Sequence, residues 1–148
     1  MIEIGGKLGE IEIGFLRPQS ETVEVELRVD DPENSSELAG VRGQIGIPSE
    51  KLLEELFALQ NDPDEYGKKL AKRVFESSAI RERFSEAKAA FEARGMRIRL
   101  RIHLSQELQS LHGIAWELLR DPKSGNTLAT SERIVFSRFM HSTDWRTT

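Results

Sequence analysis

The sequence has 148 residues, of which 38% are hydrophobic and 31% are charged, and it contains no cysteine. A chain of this length can bury a core of its own, so residues 1–148 are predicted to form a single domain. The lack of cysteine excludes a disulfide, a thiolate metal site and a cysteine nucleophile from this chain. The formal net charge of −4 argues against a general nucleic-acid binder, whose surface is usually basic.

No run of apolar residues approaches the roughly 18 needed to span a membrane, and the N-terminus has no basic region followed by an apolar one. The sequence therefore predicts a cytoplasmic protein with no membrane partner. Asn34-Ser35-Ser36 has the form of a glycosylation acceptor, but without secretion it is interpreted as part of a polar loop over residues 30–39.

The N-terminal region predicts three strands. Residues 10–15 and 22–29 alternate apolar and polar side chains, as strands with one wet face do, and the turn formers at 17–20 make them a hairpin. A third strand is predicted over 40–47, weakened by its glycines.

Three helices are predicted next. The first, of about 11 residues, has Ser49 as its N-cap and a stripe of apolar residues. The second begins at Asp62, which can cap it, with Pro63 in the first turn and Glu65 placed to reach back to the cap. The third begins near Ser77 or Ser78 and ends at Gly95. The apolar stripe of the first helix is Leu52, Leu53, Leu56, Phe57 and Leu59; that of the second is Tyr66, Leu70, Ala71, Val74 and Phe75; that of the third is Ile80, Phe84, Ala87 and Phe91.

A strict alternation over residues 96–104 predicts a fourth strand, which places Arg97, Arg99, Arg101 and His103 on one face. Short helical turns are predicted at 106–111 and 114–119, a turn at 121–126 and a last strand at 133–139. Strands and helices are segregated along the chain. The predicted fold class is therefore α+β, with a mostly antiparallel or mixed sheet covered by three main helices.

The segment 108–130 contains Trp116-Glu117-Leu118-Leu119, then Asp121-Pro122, a turn, and Leu128-Ala129. It resembles the CHAT family of caspase-like cysteine peptidase domains, and the order of elements extends the resemblance to about residues 10–140. One departure is Ala115, where the family usually has proline, and another is the His112-Gly113-Ile114 spacer. The resemblance implies the N-terminal half of a caspase-like fold, which lies before the catalytic His and Cys of the family.

Two functions are predicted. The first is a non-catalytic N-terminal subdomain of a CHAT cysteine endopeptidase, whose partner is the catalytic half that follows and for which this half is a scaffold. The second is a stand-alone protein-interaction domain that uses a sheet edge or the surface around Trp145. Neither needs a cofactor, and this chain by itself is not expected to be an enzyme.

Trp116 and Glu117 are the main structural candidates, because a buried indole needs a partner for its N–H and the carboxylate needs a backbone or basic group. Arg97, Arg99 and Arg101 are candidate partners for Glu117. These arginines lack the interleaved aromatics of single-strand binders, so they are interpreted as a solvated face or as one paired with acidic residues. The acidic residues considered are Glu50, Glu54, Glu55, Asp62, Asp64 and Glu65.

No catalytic or metal-binding residue is assigned. His112-Gly113 resembles a peptidase histidine motif, but His112 precedes Trp116 and has no cysteine to activate. His103, His112 and His141 lack the spacing of a zinc helix. A Ser-His-Asp hydrolase remains compatible with the composition, although the sequence has no Gly-x-Ser-x-Gly elbow.

Overall fold

A computed structural model describes residues 8–33 and 40–140, with the backbone alone described for residues 137–140. Its five strands form one mixed sheet in the order β3-β2-β1-β4-β5. The hairpin β1-β2 and the pair β2-β3 are antiparallel, whereas β4 pairs in parallel with β1 on one side and β5 on the other. The strands are β1 (Leu8–Pro18), β2 (Val23–Asp30), β3 (Val41–Ile45), β4 (Arg97–Leu104) and β5 (Ile134–Met140). The α+β class and the mixed sheet are confirmed.

Three α-helices lie between β3 and β4, and three short 3-10 helices follow β4. The α-helices are α1 (Ser49–Phe57), α2 (Pro63–Val74) and α3 (Ser78–Ala93), and the 3-10 helices span Gln106–Gly113, Trp116–Leu118 and Leu128–Thr130. Gly95 adopts a φ of 70° after α3, which is a common way to end a helix. The polar segment Asn34–Ser36 and Trp145 lie outside the described residues.

The start of α1 differs from the prediction. Pro48, not Ser49, is the N-cap, and its carbonyl accepts the N–H of Leu52 at 3.0 Å. The side chain of the N-cap therefore makes no capping bond, and the helix has nine residues. Phe57 is 68% exposed and does not belong to the buried stripe, because it lies about 100° around the helix from the buried Leu56.

The start of α2 matches its prediction in part. The Asp62 carboxylate accepts the N–H of Glu65 at 3.2 Å, and Pro63 occupies the first turn. The expected return bond from the Glu65 side chain to the cap is replaced. The N–H of Asp62 donates to the Leu59 carbonyl at 2.9 Å, while the Glu65 carboxylate lies 3.5 Å from the Lys68 ammonium. The backbone N–H of Asp62, which the Glu65 side chain would accept in a capping box, is thus already bonded within the preceding turn.

The hydrophobic core lies on one face of the sheet, under the helices. α3 contacts strands β1 to β4, and α1 and α2 pack against each other and against the 3-10 helices. Gly43 of β3 faces α3 at such close range that an added Cβ would lie 2.4 Å from the Ser77 Oγ, which explains a glycine in this strand. The sheet contributes these buried side chains to the core: Ile11, Ile13, Phe15, Val23, Val25, Leu27, Ile45, Ile98, Leu100, Ile102, Leu104 and Ile134.

Candidate functional site

Trp116 fixes the segment after β4 to the sheet. Its side chain is fully buried, its ring centroid lies 5.0 Å from that of Phe15 in β1, and its indole N–H donates to the Leu111 carbonyl at 3.1 Å. The indole partner is therefore a backbone group five residues earlier. Glu117, the next residue, is exposed.

Ala115 supplies a contact that a proline at this position would not allow. Its backbone N–H donates to the Tyr66 hydroxyl at 2.9 Å, and this bond ties α2 to the residue before Trp116. Proline has no N–H to donate. The alanine at this position thus permits a specific bond between α2 and the tryptophan segment.

Asp121 organises the turn that follows. Its Oδ1 accepts the N–H groups of Lys123 at 2.7 Å and Ser124 at 3.2 Å, while its Oδ2 lies 3.1 Å from the Lys88 ammonium of α3. Burial raises the pKa of Asp121, but these backbone N–H groups and the Lys88 cation outweigh it and hold the pKa below its usual value. The carboxylate therefore stabilises the fold in its ionised form.

We expect Asp121→Asn to lower the free energy of unfolding at pH 7 by about 1.5–3 kcal/mol, the range for hydrogen bonds to a charged group. The lowered pKa means that this stability is present above the unfolded pKa of about 3.9 and is lost as the pH falls through the folded pKa. Urea unfolding should therefore show a difference between wild type and variant that shrinks below about pH 4. Asp30→Asn, at an exposed position, is the control, and a difference that is equal at pH 7 and pH 3 would contradict the assignment.

The arginines of β4 lie on the face of the sheet opposite the core. Arg99 and Arg101 approach the Glu10 carboxylate at 3.4 and 3.7 Å, and the His103 imidazole lies 3.4 Å from the Glu12 carboxylate. The expectation that Arg99 and Arg101 answer the acidic residues of α1 and α2 is wrong. The parallel register of β1 and β4 places the glutamates of β1 beside them instead.

The same face continues over β2 and β3 with charges of both signs. The Arg42 guanidinium lies 2.9 Å from the Glu24 carboxylate and 3.6 Å from that of Glu26, which also pairs with Arg28 at 3.3 Å. Arg97 begins this row and is exposed. We call this surface, from Glu10 and Glu12 across to Arg42, the polar face. Since cation and carboxylate alternate on neighbouring strands, it is a solvated face in which Trp116 has no part.

The acidic residues of the helices form ion pairs with cations outside β4. Glu55 receives a two-pronged bond from Arg73, with distances of 3.0 and 2.8 Å, and this side-chain hydrogen bond is the main cause of its lowered pKa. Asp64 contacts Lys68 and Arg120. These pairs join α1 to α2 and α2 to residue 120, so they strengthen the helical layer.

The two edges of the sheet differ. β3 has five residues and includes Arg42 and Gly43, features that discourage pairing with another chain. β5 has seven residues, Ile-Val-Phe-Ser-Arg-Phe-Met, and within residues 8–33 and 40–140 no strand pairs with its outer side. Ile134 is buried, and Val135 and Phe136 are half-buried. The edge of β5 is therefore the part of the sheet best suited to accept a further strand.

Two kinds of site, a cysteine-dependent dyad and a metal-binding cluster, are not found in the described part of the chain. The absence of cysteine means that a cysteine-dependent dyad cannot lie in this chain. Across the described ranges, no three His, Asp or Glu side chains are grouped so that they could hold a metal ion. None of the helices within those ranges combines the length and the apolar composition required to cross a membrane.

Compared with known proteins, the chain matches no family model, no curated protein and no solved structure. The resemblance to the CHAT family consequently stays a prediction that depends on the residues of the segment 108–130.

Proposed function

We propose that this chain is the non-catalytic N-terminal subdomain of a CHAT-type cysteine endopeptidase and that the catalytic half joins it along β5. The observation that carries the proposal is the outer edge of β5, a parallel strand with its backbone groups on that side unpaired among the described residues. Such an edge is a template for another strand.

The composition of β5 supports the same role. β4 alternates strictly between apolar residues and Arg or His, as a strand with one wet face does. β5 begins with three consecutive apolar residues, Ile134, Val135 and Phe136, as strands covered on both faces do. A following parallel strand with its covering helix would bury both sides of β5.

The polar face is a poorer place for the catalytic half. Docking there would desolvate the partly exposed pair of Glu10 and Arg99, and the cost of removing an ion pair from water often exceeds the mutual attraction of its charges. Addition of a strand at β5 leaves this pair in solvent and forms new backbone hydrogen bonds. The free energy cost of joining the catalytic half is therefore lower at the edge of β5 than at the polar face.

The test uses the complete polypeptide that the gene encodes. We expect the coding sequence to contain, after Thr148, an apolar strand that ends in His-Gly and later a cysteine that follows another apolar strand. The purified full chain should cleave peptide substrates only in reduced form and should lose this activity with iodoacetamide. Residues 1–148 alone should hydrolyse none of them. A gene without the His and Cys segments would contradict the proposal and favour the second function, an interaction domain that pairs β5 with a strand of another protein.

A backbone variant tests the role of the edge. The Ile98 N–H donates to the Arg133 carbonyl at 2.8 Å, and parallel pairing then turns the N–H of even-numbered β5 residues such as Arg138 away from β4. Arg138→Pro removes the arginine side chain and the outward backbone N–H. Arg138→Ala removes the same side chain but keeps the backbone N–H. We expect only the proline variant to abolish peptidase activity of the full chain, with both variants of residues 1–148 still folded by circular dichroism. Equal activity of the two variants would exclude pairing at this edge.

A further inference from the structure

A cleft of about 450 Å³ lies in the helical layer, between α2, the start of α3 and the turn at 120–125. Its volume falls within the range of about 300–1,000 Å³ that is typical of ligand sites. The cleft is separate from β5 and from the polar face, because all its lining residues belong to α2, α3, the residues between these helices, and the 120–125 turn.

Two of the four cations that line this cleft have no carboxylate partner among the described residues. Among the residues that the structure describes, neither Lys72 nor Arg81 has a carboxylate oxygen within 4.0 Å, and Lys72 is exposed. The Arg81 guanidinium donates one N–H to the Phe75 carbonyl at 3.0 Å, which holds it beside the cleft. Its other donors remain available to a ligand.

The carboxylates at the cleft already have cations or N–H groups. Glu76 accepts the N–H of Gly46 at 3.2 Å and a guanidinium N–H of Arg73 at 3.3 Å. Asp121 is paired with Lys88 and with backbone N–H groups of its turn. The cleft is therefore locally cationic in a chain whose formal net charge is −4.

The rest of the lining includes apolar groups and two further cations, Lys68 and Arg120, which already contact Asp64. Phe75 is 2% exposed and its ring packs against that of Phe84 at a centroid distance of 4.8 Å, so this part of the lining is held in place. Ala71 and Pro122 are half-buried and lie at the same cleft. A ligand that matches these features carries an apolar group next to one or two negative charges.

We propose that this cleft binds an acidic peptide segment in which an apolar side chain is flanked by glutamate or aspartate. The apolar side chain packs on Ala71 and Pro122, and the flanking carboxylates pair with Lys72 and Arg81. Guanidinium and carboxylate match in charge and in hydrogen-bond geometry. A single-stranded nucleic acid fits less well, because Phe75 is buried and offers no exposed ring on which a base could stack.

The probes are fluorescein-labelled peptides Glu-Glu-X-Glu-Glu with Leu, Ile, Val or Phe at X, measured by fluorescence anisotropy with residues 1–148. We expect saturable binding by at least one of them and about tenfold weaker binding by its Gln-Gln-X-Gln-Gln counterpart. Exchange of X for Ser should also weaken binding. Absence of saturable binding by all four peptides, or equal binding of the glutamine peptides, would overturn the proposal.

Variants locate the site. Lys72→Gln should weaken binding about tenfold without loss of fold, since Lys72 is exposed and makes no ion pair among the described residues. Lys51→Gln, the same change at an exposed position of α1, should leave binding unchanged. Equal effects of the two variants would show attraction by overall charge and would overturn the assignment. A labelled oligothymidylate that competes with the peptide and binds more tightly would overturn it in favour of a nucleic-acid ligand.

Discussion

Trp116→Ala should lower the free energy of unfolding by about 3–5 kcal/mol, the usual cost of truncating a fully buried large aromatic side chain. A domain of this size is typically stable by only about 5–15 kcal/mol, so the variant should unfold at a much lower urea concentration. The substitution leaves a cavity beside Phe15 and removes the indole donor to the Leu111 carbonyl. Urea unfolding followed by far-ultraviolet circular dichroism gives the difference directly.

Phe57→Ala is the matched control, because it truncates an aromatic side chain that is 68% exposed. It should change the free energy of unfolding by no more than about 0.5 kcal/mol. Trp116→Phe should fall between the two, since it keeps apolar volume but loses the hydrogen bond to Leu111. A Trp116→Ala variant as stable as Phe57→Ala would show that the tryptophan does not anchor the segment after β4.

Local patterns in the sequence identified several elements whose structure is set by neighbouring residues. The alternation in residues 96–104 identifies β4 because one face of the strand is buried and the other is wet. Asp62-Pro63 identifies the start of α2, since the cap and the fixed φ of proline act within one turn. Phe57 was wrongly assigned to the buried stripe of α1. Its apolar character does not reveal that it follows the buried Leu56 directly and so points to a different side of the helix.

Features that depend on distant residues could not be predicted in the same way. The contact between Arg99 and Glu10 requires the parallel pairing of β1 with β4, two strands separated in the chain by β2, β3 and three helices. Both strands alternate charged and apolar residues, so opposite charges in β1 and β4 were a usable signal once the pairing was known. The cleft at Lys72 brings together two helices and a turn more than 40 positions later, which no local pattern encodes.

The segment around Trp116 contacts several elements of the fold. Tyr66 of α2 accepts the N–H of Ala115, Trp116 packs on β1, and Asp121 pairs with Lys88 of α3. A stretch of seven residues thus contacts α2, the central strand and α3. These contacts give the residues of the motif a role in packing.

Gly67 of α2 lies close to the backbone of this segment, and Gly67→Ala tests that packing. A Cβ added at Gly67 would lie 2.5 Å from the Leu118 carbonyl oxygen and 3.0 Å from the Arg120 Nε, and the first of these is a backbone atom. Alanine at a helix interior normally gains about 1 kcal/mol over glycine. Here we expect the clash to outweigh that gain and the free energy of unfolding to fall by about 1–3 kcal/mol.

Gly113→Ala supplies the contrast, because an added Cβ at Gly113 meets no atom within 4 Å and the glycine has no left-handed φ. This variant should match wild type or gain up to about 1 kcal/mol, since alanine restricts the unfolded chain. Urea unfolding should therefore show a lower free energy of unfolding than wild type for Gly67→Ala, and an equal or higher one for Gly113→Ala. A Gly67→Ala variant that is stabilised like Gly113→Ala would mean that α2 does not sit against the Leu118 carbonyl, and the bond from Ala115 to Tyr66 would then lose its structural basis as well.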